Sequence, residues 1–250
     1  METIKIAHLY YDLMNLYGEH GNILALRHHL EAHKVRVITH YLSIEDEIDF
    51  SKYDIFYIGS GNKEAFHLVL DDVMKRKDDF INAFKKKKFF FITGNALDLF
   101  GKSYHTLEGA KYETLGFFSY ETHETDFRIV GEQVYETPKL EHEIIGFQNR
   151  CSTMKFVSDP HLFDVKVGTG YVPKSLVEGI CKNHFYGTYL LGPLFIRNPY
   201  FTEYVVSEIL KFKKTLYTPY VDELEIKAYE EYQKNLLHEE LSEKNETKEN

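Results

Sequence analysis

The sequence predicts an α/β fold: a central, mostly parallel sheet flanked by helices, in one domain. Two observations lead there. The first hundred residues alternate short β-rich apolar runs with stretches of helical periodicity, the pattern of parallel strands wound by crossover helices. A chain of 250 residues, 43% of them hydrophobic, is also long enough to bury one substantial core.

Taken in order, strands are read at Ile4 to Leu9, Val35 to Tyr41, Asp54 to Ile58 and Phe89 to Thr93, runs rich in β-branched and aromatic residues. Between the first two, Ile23, Leu26 and Leu30 recur at helical spacing, and a second helix is read from Lys63 to Phe84. The run Lys85 to Lys88 reads as the solvated end of that helix, where cations suit the dipole, rather than as an anion site. From Leu115 onward the pattern changes to short strands with turn signals: Leu115 to Tyr120, Arg128 to Glu136, Ile144 to Gln148 and Phe185 to Leu191. These are expected to extend the same sheet at one edge. Thr202 to Phe212, behind Asn198-Pro199, and Val221 to Leu237 read as closing helices. The domain is placed at 1–238, with 239–250 a polar, disordered tail.

Composition narrows the function. With 30 Lys and Arg against 39 Asp and Glu the net charge is −9, which disfavours a nucleic-acid surface, since phosphate neutralisation needs clustered cations. No apolar run approaches the roughly 18–20 residues of a membrane span, and Met1-Glu2-Thr3-Ile4-Lys5-Ile6 reads as a strand rather than a signal peptide. A soluble, cytoplasmic protein without membrane insertion is expected. Two cysteines, Cys151 and Cys181, supply neither a disulfide framework nor a Cys-rich zinc site, and no histidine spacing along the chain resembles a metal motif.

In a parallel α/β sheet the chemistry lies in the loops after the strands' carboxyl ends. Four loops stand out. Asn15 to Asn22 brackets a helix entry with Gly18 and Gly21. Gly59-Ser60-Gly61-Asn62 follows a strand and can aim backbone N–H groups at an anion or an oxyanion. Phe89 to Gly101 has the form of a nucleophile elbow, a buried strand turning through small residues into a helix, with Gly94 at the apex. Phe185 to Leu194 ends a strand in Gly192-Pro193, with Leu191 where a general base would stand.

These loops together resemble the class I glutamine amidotransferase fold, a flavodoxin-like architecture, and within it the CobB/CobQ-like branch, nearest the glutaminase subunit (GatD type) of lipid II isoglutaminyl synthase. The resemblance spans nearly the whole chain. The family elbow reads approximately Ile-Cys-Gly-Gly-Tyr-Gln-Leu-Leu-Gly; Thr93-Gly94-Asn95-Ala96-Leu97-Asp98-Leu99-Phe100-Gly101 aligns with it without a gap and puts Gly94 at the nucleophile position. The later family strand reads Gly-Thr-Tyr-Leu-His-Gly-Pro, and Gly187 to Pro193 puts Leu191 at the base position. Phe127-Arg128-Ile129-Val130-Gly131 resembles a segment whose arginine helps hold the glutamine substrate, so the resemblance implies Arg128 as a substrate contact. Gly146 to Arg150 resembles Gly-Phe-Glu-Asn-His with two changes, and Gly59, Ser60 and Gly61 stand at the family's glycine run as the candidate oxyanion loop.

Glutamine hydrolysis needs a thiolate, a proton-moving histidine and oxyanion donors. With Gly94 and Leu191 at the first two positions, no catalytic residue is retained, and the resemblance implies a catalytically degenerate subunit. It would bind a Mur-ligase-like (MurT-type), ATP-dependent synthetase that amidates lipid II. No cofactor is expected. Two alternatives stay open: an active glutaminase with an unrecognised nucleophile among Thr93, Cys151 and Cys181, or a module that binds glutamine or a related amino acid through Arg128. Thr93 reads as a packing or N-capping residue, and Cys181 and His184 as facing opposite sides of a strand.

Overall fold

The computed structural model describes residues 2–220 and 222–246. Its first half winds as read: β1 (Thr3–Leu9), α1 (His20–Ala32), β2 (Arg36–Leu42), β3 (Ile55–Ile58), α2 (Lys63–Lys75), α3 (Lys77–Lys85) and β4 (Phe89–Thr93). β3 and β4 are buried along their whole length, which is why they are continuous apolar runs without alternation. The helix read as 63–84 is two helices. It breaks at Arg76, whose guanidinium turns back to Asp72 at 2.7 Å and to the carbonyls of Ile44 and Asp46. Asp78 and Asp79 then supply the acidic first turn that a fresh helix N-terminus favours.

β4 feeds the elbow at Gly94, which opens onto 3-10 turns (Gly94–Phe100) rather than the α-helix expected there. Beside it, the residues read as a strand at Leu115 to Tyr120 form an irregular loop instead, with Leu115, Phe118 and Tyr120 buried. Leu115, Gly116 and Phe117 donate backbone N–H groups to the carbonyls of Leu99, Gly101 and Phe100, anchoring the loop on the end of the elbow segment.

The strands that follow are β5 (Ser103–His105), β6 (Lys111–Glu113), β7 (Glu121–Glu136), β8 (Ile144–Lys155), β9 (Phe163–Val167), β10 (Val177–Glu178), β11 (Ile180–Lys182) and β12 (Phe185–Thr188). Only β11 and β12 join the first sheet, whose order is β11-β12-β4-β3-β1-β2 and whose pairings are all parallel except β11 with β12. The others build a second sheet, β10-β9-β7-β5-β6 with β8 on β7, so the expectation that they extend the first sheet's edge is corrected. At 16 residues β7 is too long for that edge; it pairs with β8 on both sides of an irregularity between Glu124 and Ile129 and carries its own layer. An antiparallel bridge, Phe147 to Leu191, joins the two sheets, and β12 stops at Thr188 because Thr188 and Tyr189 turn aside to bind the buried Glu178 carboxylate.

Packing is strongly aromatic. Phe56, Phe90 and Phe185 stack across neighbouring parallel strands at 5.1 and 6.1 Å on one face of the first sheet. On the other face, Phe91 and Tyr186 stack at 5.4 Å against the closing helices. These are α4 (Leu194–Arg197) and α5 (Pro199–Phe212), which begins on Pro199 where its missing N–H costs nothing; α6 (Glu223–Glu246) follows and joins a separate small cluster with Val134 and Ile145. The backbone of α6 continues through part of the stretch read as a tail, and residues 247–250 lie outside the described residues. Among the described residues no helix is long and apolar enough to cross a membrane.

Candidate functional site

The elbow keeps the backbone form of a nucleophile turn. Gly94 is buried and has φ +62°, a left-handed conformation in which side-chain-bearing residues are strained. The volume a side chain there would need is filled. A β-carbon on Gly94 would lie 2.6 Å from Cβ and 2.7 Å from Oγ of Ser60, and 2.7 Å from Cδ2 of Leu191. Both neighbours are buried.

The Gly59-Ser60-Gly61 loop is close by, with its donors engaged. The Ser60 N–H donates to Glu19 Oε1 at 3.0 Å, and the Gly61 N–H donates to Asn95 Oδ1 at 3.0 Å. Asn95 also accepts from Ser60 Oγ at 2.9 Å and donates through Nδ2 to the Gly61 carbonyl at 2.8 Å, so one amide side chain clamps the loop. The glycines answer to close packing: a β-carbon on Gly59 would meet the Met14 carbonyl at 2.5 Å, and one on Gly61 the Leu13 carbonyl at 2.8 Å. Glu19, buried at the start of α1, binds the Tyr17 N–H with its second oxygen and so ties the Asn15–Asn22 loop to this one. Burial raises its carboxyl pKa, against the pull of the backbone N–H groups.

A cleft of about 440 Å³ opens beside the clamp, between the 16–17 and 60–63 loops on one side and β7 and β8 on the other. Ser60, Asn95, Asp98, Arg128 and Cys151 are on its walls, whereas Gly94 and Leu191 are not. Arg128 is exposed and donates to Asn149 Oδ1 at 2.6 Å, so it stands at a site able to meet a ligand carboxylate. Deeper in, Asp98 is fully enclosed, and burial lifts its carboxyl to about 6 although Tyr189, Thr122 and Ser152 all donate to it. Arg150 lies 3.9 Å from the centre of the Tyr189 ring and donates to Gln148 Oε1 and to the carbonyls of Ser152 and Gly170. Its donors serve the fold and leave Arg128 as the guanidinium facing the opening.

Of the alternative nucleophiles, only Cys151 reaches the cleft, and none of the residues lining it is a histidine. Thr93 caps nothing; its Oγ1 bonds the buried Tyr57 hydroxyl at 2.7 Å. Cys181 lies beside the Lys139 ammonium at 3.3 Å, and His184 bonds the Lys87 carbonyl and stacks on Phe89 at 4.3 Å, so the two form no dyad. Glu19, Asn95 and Asp98 were not singled out in the sequence. A buried acid in the Gly-rich entry loop and an amide beside the apex were the available signals.

The family model of the CobB/CobQ-like glutamine amidotransferase domain matches residues 5–199, from β1 to the first residue of α5. The chain belongs to this family. The match includes the elbow, the 59–62 loop and the 187–193 segment. The chain is also 28% identical over 242 residues, 96% of its own length and 90% of the relative's, to the Streptococcus pneumoniae protein named lipid II isoglutaminyl synthase (glutamine-hydrolyzing) subunit GatD. It is 28% identical over 219 residues to the Staphylococcus aureus protein of the same name, covering 88% of this chain and 89% of that one. In this CobB/CobQ-like chain the turn after β4 has a glycine, Gly94, at its left-handed apex.

Proposed function

We propose that this chain is the amidotransferase-like subunit of a lipid II isoglutaminyl synthase-type complex, acting in the cytoplasm on peptidoglycan precursors, and that it no longer hydrolyses glutamine. The names of its relatives support the first part. The second rests on one observation: the place of a nucleophile at Gly94 is taken by Ser60 and Leu191. The oxyanion loop is correspondingly closed, with the Ser60 and Gly61 N–H groups spent on Glu19 and Asn95. The partner is a Mur-ligase-like, ATP-dependent synthetase of the MurT type, which then draws ammonia from another source.

A second reading is favoured by the cleft itself. Arg128 at its wall suits the carboxylate of glutamine or a related amino acid, so the subunit binds such a ligand without cleaving it. Glutamate release from glutamine, measured for the purified chain alone and with its synthetase, tests the proposal. No release above the uncatalysed rate is expected. Robust release abolished by Cys151→Ala would overturn it in favour of a thiol displaced to the cleft wall.

A further inference from the structure

Away from the cleft, β5 runs parallel to β7 with His105 opposite His123 and Ser103 opposite Glu121. Glu121 and His123 are two apart on one strand and so share a face, and the register brings His105 onto that face beside them. Thr122, between them, points the other way, to the buried Asp98. The three side chains are partly exposed, and their ligand atoms all lie within 4.8 Å of one another.

The spacing is that of a coordination shell. Glu121 Oε2 is 3.4 Å from His105 Nε2 and 3.6 Å from His123 Nε2. Ligands about 2.0–2.1 Å from a tetrahedral zinc ion stand about 3.3–3.4 Å apart, so small side-chain adjustments suffice. The two imidazoles lie nearly parallel, 4.2 Å between centroids, with both Nε2 atoms toward the same carboxylate. Nε2 of His123 is buried and has no hydrogen-bond partner, a state that costs free energy unless something fills it. Nε2 of His105 has Ser103 Oγ at 2.9 Å, a contact an incoming ion replaces. Among the described residues Glu121 makes no close ion pair with a lysine or arginine, although Lys155 is its cross-strand partner on β8.

We infer that His105, Glu121 and His123 bind a divalent transition-metal ion of the zinc class, bridging β5 and β7 on the face away from the cleft. Imidazole nitrogen favours this class over magnesium or calcium, and three protein ligands leave a fourth position for water. The test is calorimetric titration of zinc chloride into the untagged full-length chain after chelator treatment. Beside it stand His123→Ala, Glu121→Gln and, as a control from a second candidate His-carboxylate group among the described residues, His28→Ala. One saturable site is expected, weakened more than about 10-fold by His123→Ala and by Glu121→Gln, since even outer-shell partners are worth about 10–100-fold. His28→Ala should leave it intact, and circular dichroism without zinc should be the same for all four proteins. Absence of saturable binding, or a site unchanged in a His105→Ala/His123→Ala double variant, overturns the inference.

Discussion

Leu191 and Gly94 compete for one volume: a β-carbon on the glycine would fall 2.7 Å from Cδ2 of the leucine, closer than packed carbons approach. Ser60 enters the same volume, its Cβ 2.6 Å from that position. Gly94, Ser60 and Leu191 are therefore one packing unit, and the effects of changing them should not add.

Gly94→Cys alone is expected to destabilise the chain by about 2–4 kcal/mol, combining left-handed strain with overpacking. The triple variant Gly94→Cys/Ser60→Gly/Leu191→His should recover much of that loss, because it removes the Ser60 collision and redirects the residue-191 side chain. Urea denaturation of the two variants checks this. Glutamate release by the triple variant alone would show that the elbow still positions a nucleophile.

Arg128→Ala should leave thermal stability within about 0.5 kcal/mol, as for most exposed positions. Binding of glutamine to the cleft should weaken about 10-fold through loss of the carboxylate contact. An NMR titration with glutamine, following the Asn149 and Cys151 amides, reads both the site and the affinity; equal affinity in the variant would remove Arg128 from the ligand.

His29 ties α1 to the C-terminal elements, bonding Glu203 at 3.2 Å and Glu225 at 2.7 Å. Burial opposes its charged form, yet the two carboxylates prevail and hold its pKa at about 9. A pKa raised above the unfolded 6.5 makes a contribution that is complete below about pH 6.5 and disappears as pH rises through about 9, at most about 3 kcal/mol. The melting temperature should fall between pH 7 and 10, and less steeply in His29→Gln.

Asn198 joins the second sheet to the closing helices. Its Oδ1 accepts from the Ile145 N–H, and its Nδ2 donates to the carbonyls of Ile145 and Leu194, each at 2.8 Å. Asn198→Ala leaves these buried groups unsatisfied and is expected to cost about 2–4 kcal/mol. Asn198→Asp, which keeps one acceptor but loses both donations, should be no better. Denaturant midpoints at constant slope would establish this.

The parallel core was legible because its central strands β3 and β4 are buried on both faces and show it as unbroken apolar runs such as Phe89 to Thr93. The same signal misleads at Leu115 to Tyr120, where apolar residues fill the core from a loop and their backbone bonds go to the elbow instead of a ladder. The second sheet was hidden because residues 121–128 are rich in polar groups, and register rather than spacing brings His105 to His123. At the site, motif spacing points to Gly94 and Leu191, and the structure places the two side by side. The engagement of the loop by Glu19 and Asn95 depends on where two side chains point, which no local pattern encodes.

The filled apex also constrains the order in which this site can change. A cysteine introduced first at position 94 meets the Ser60 β-carbon, an atom fixed to the backbone that no rotamer can move aside. A stepwise path to a side chain at position 94 therefore needs position 60 to change before it, a change that yields no chemistry by itself and removes the Ser60 hydroxyl that donates to Asn95. The packing thus acts as a ratchet that holds this turn in its present form.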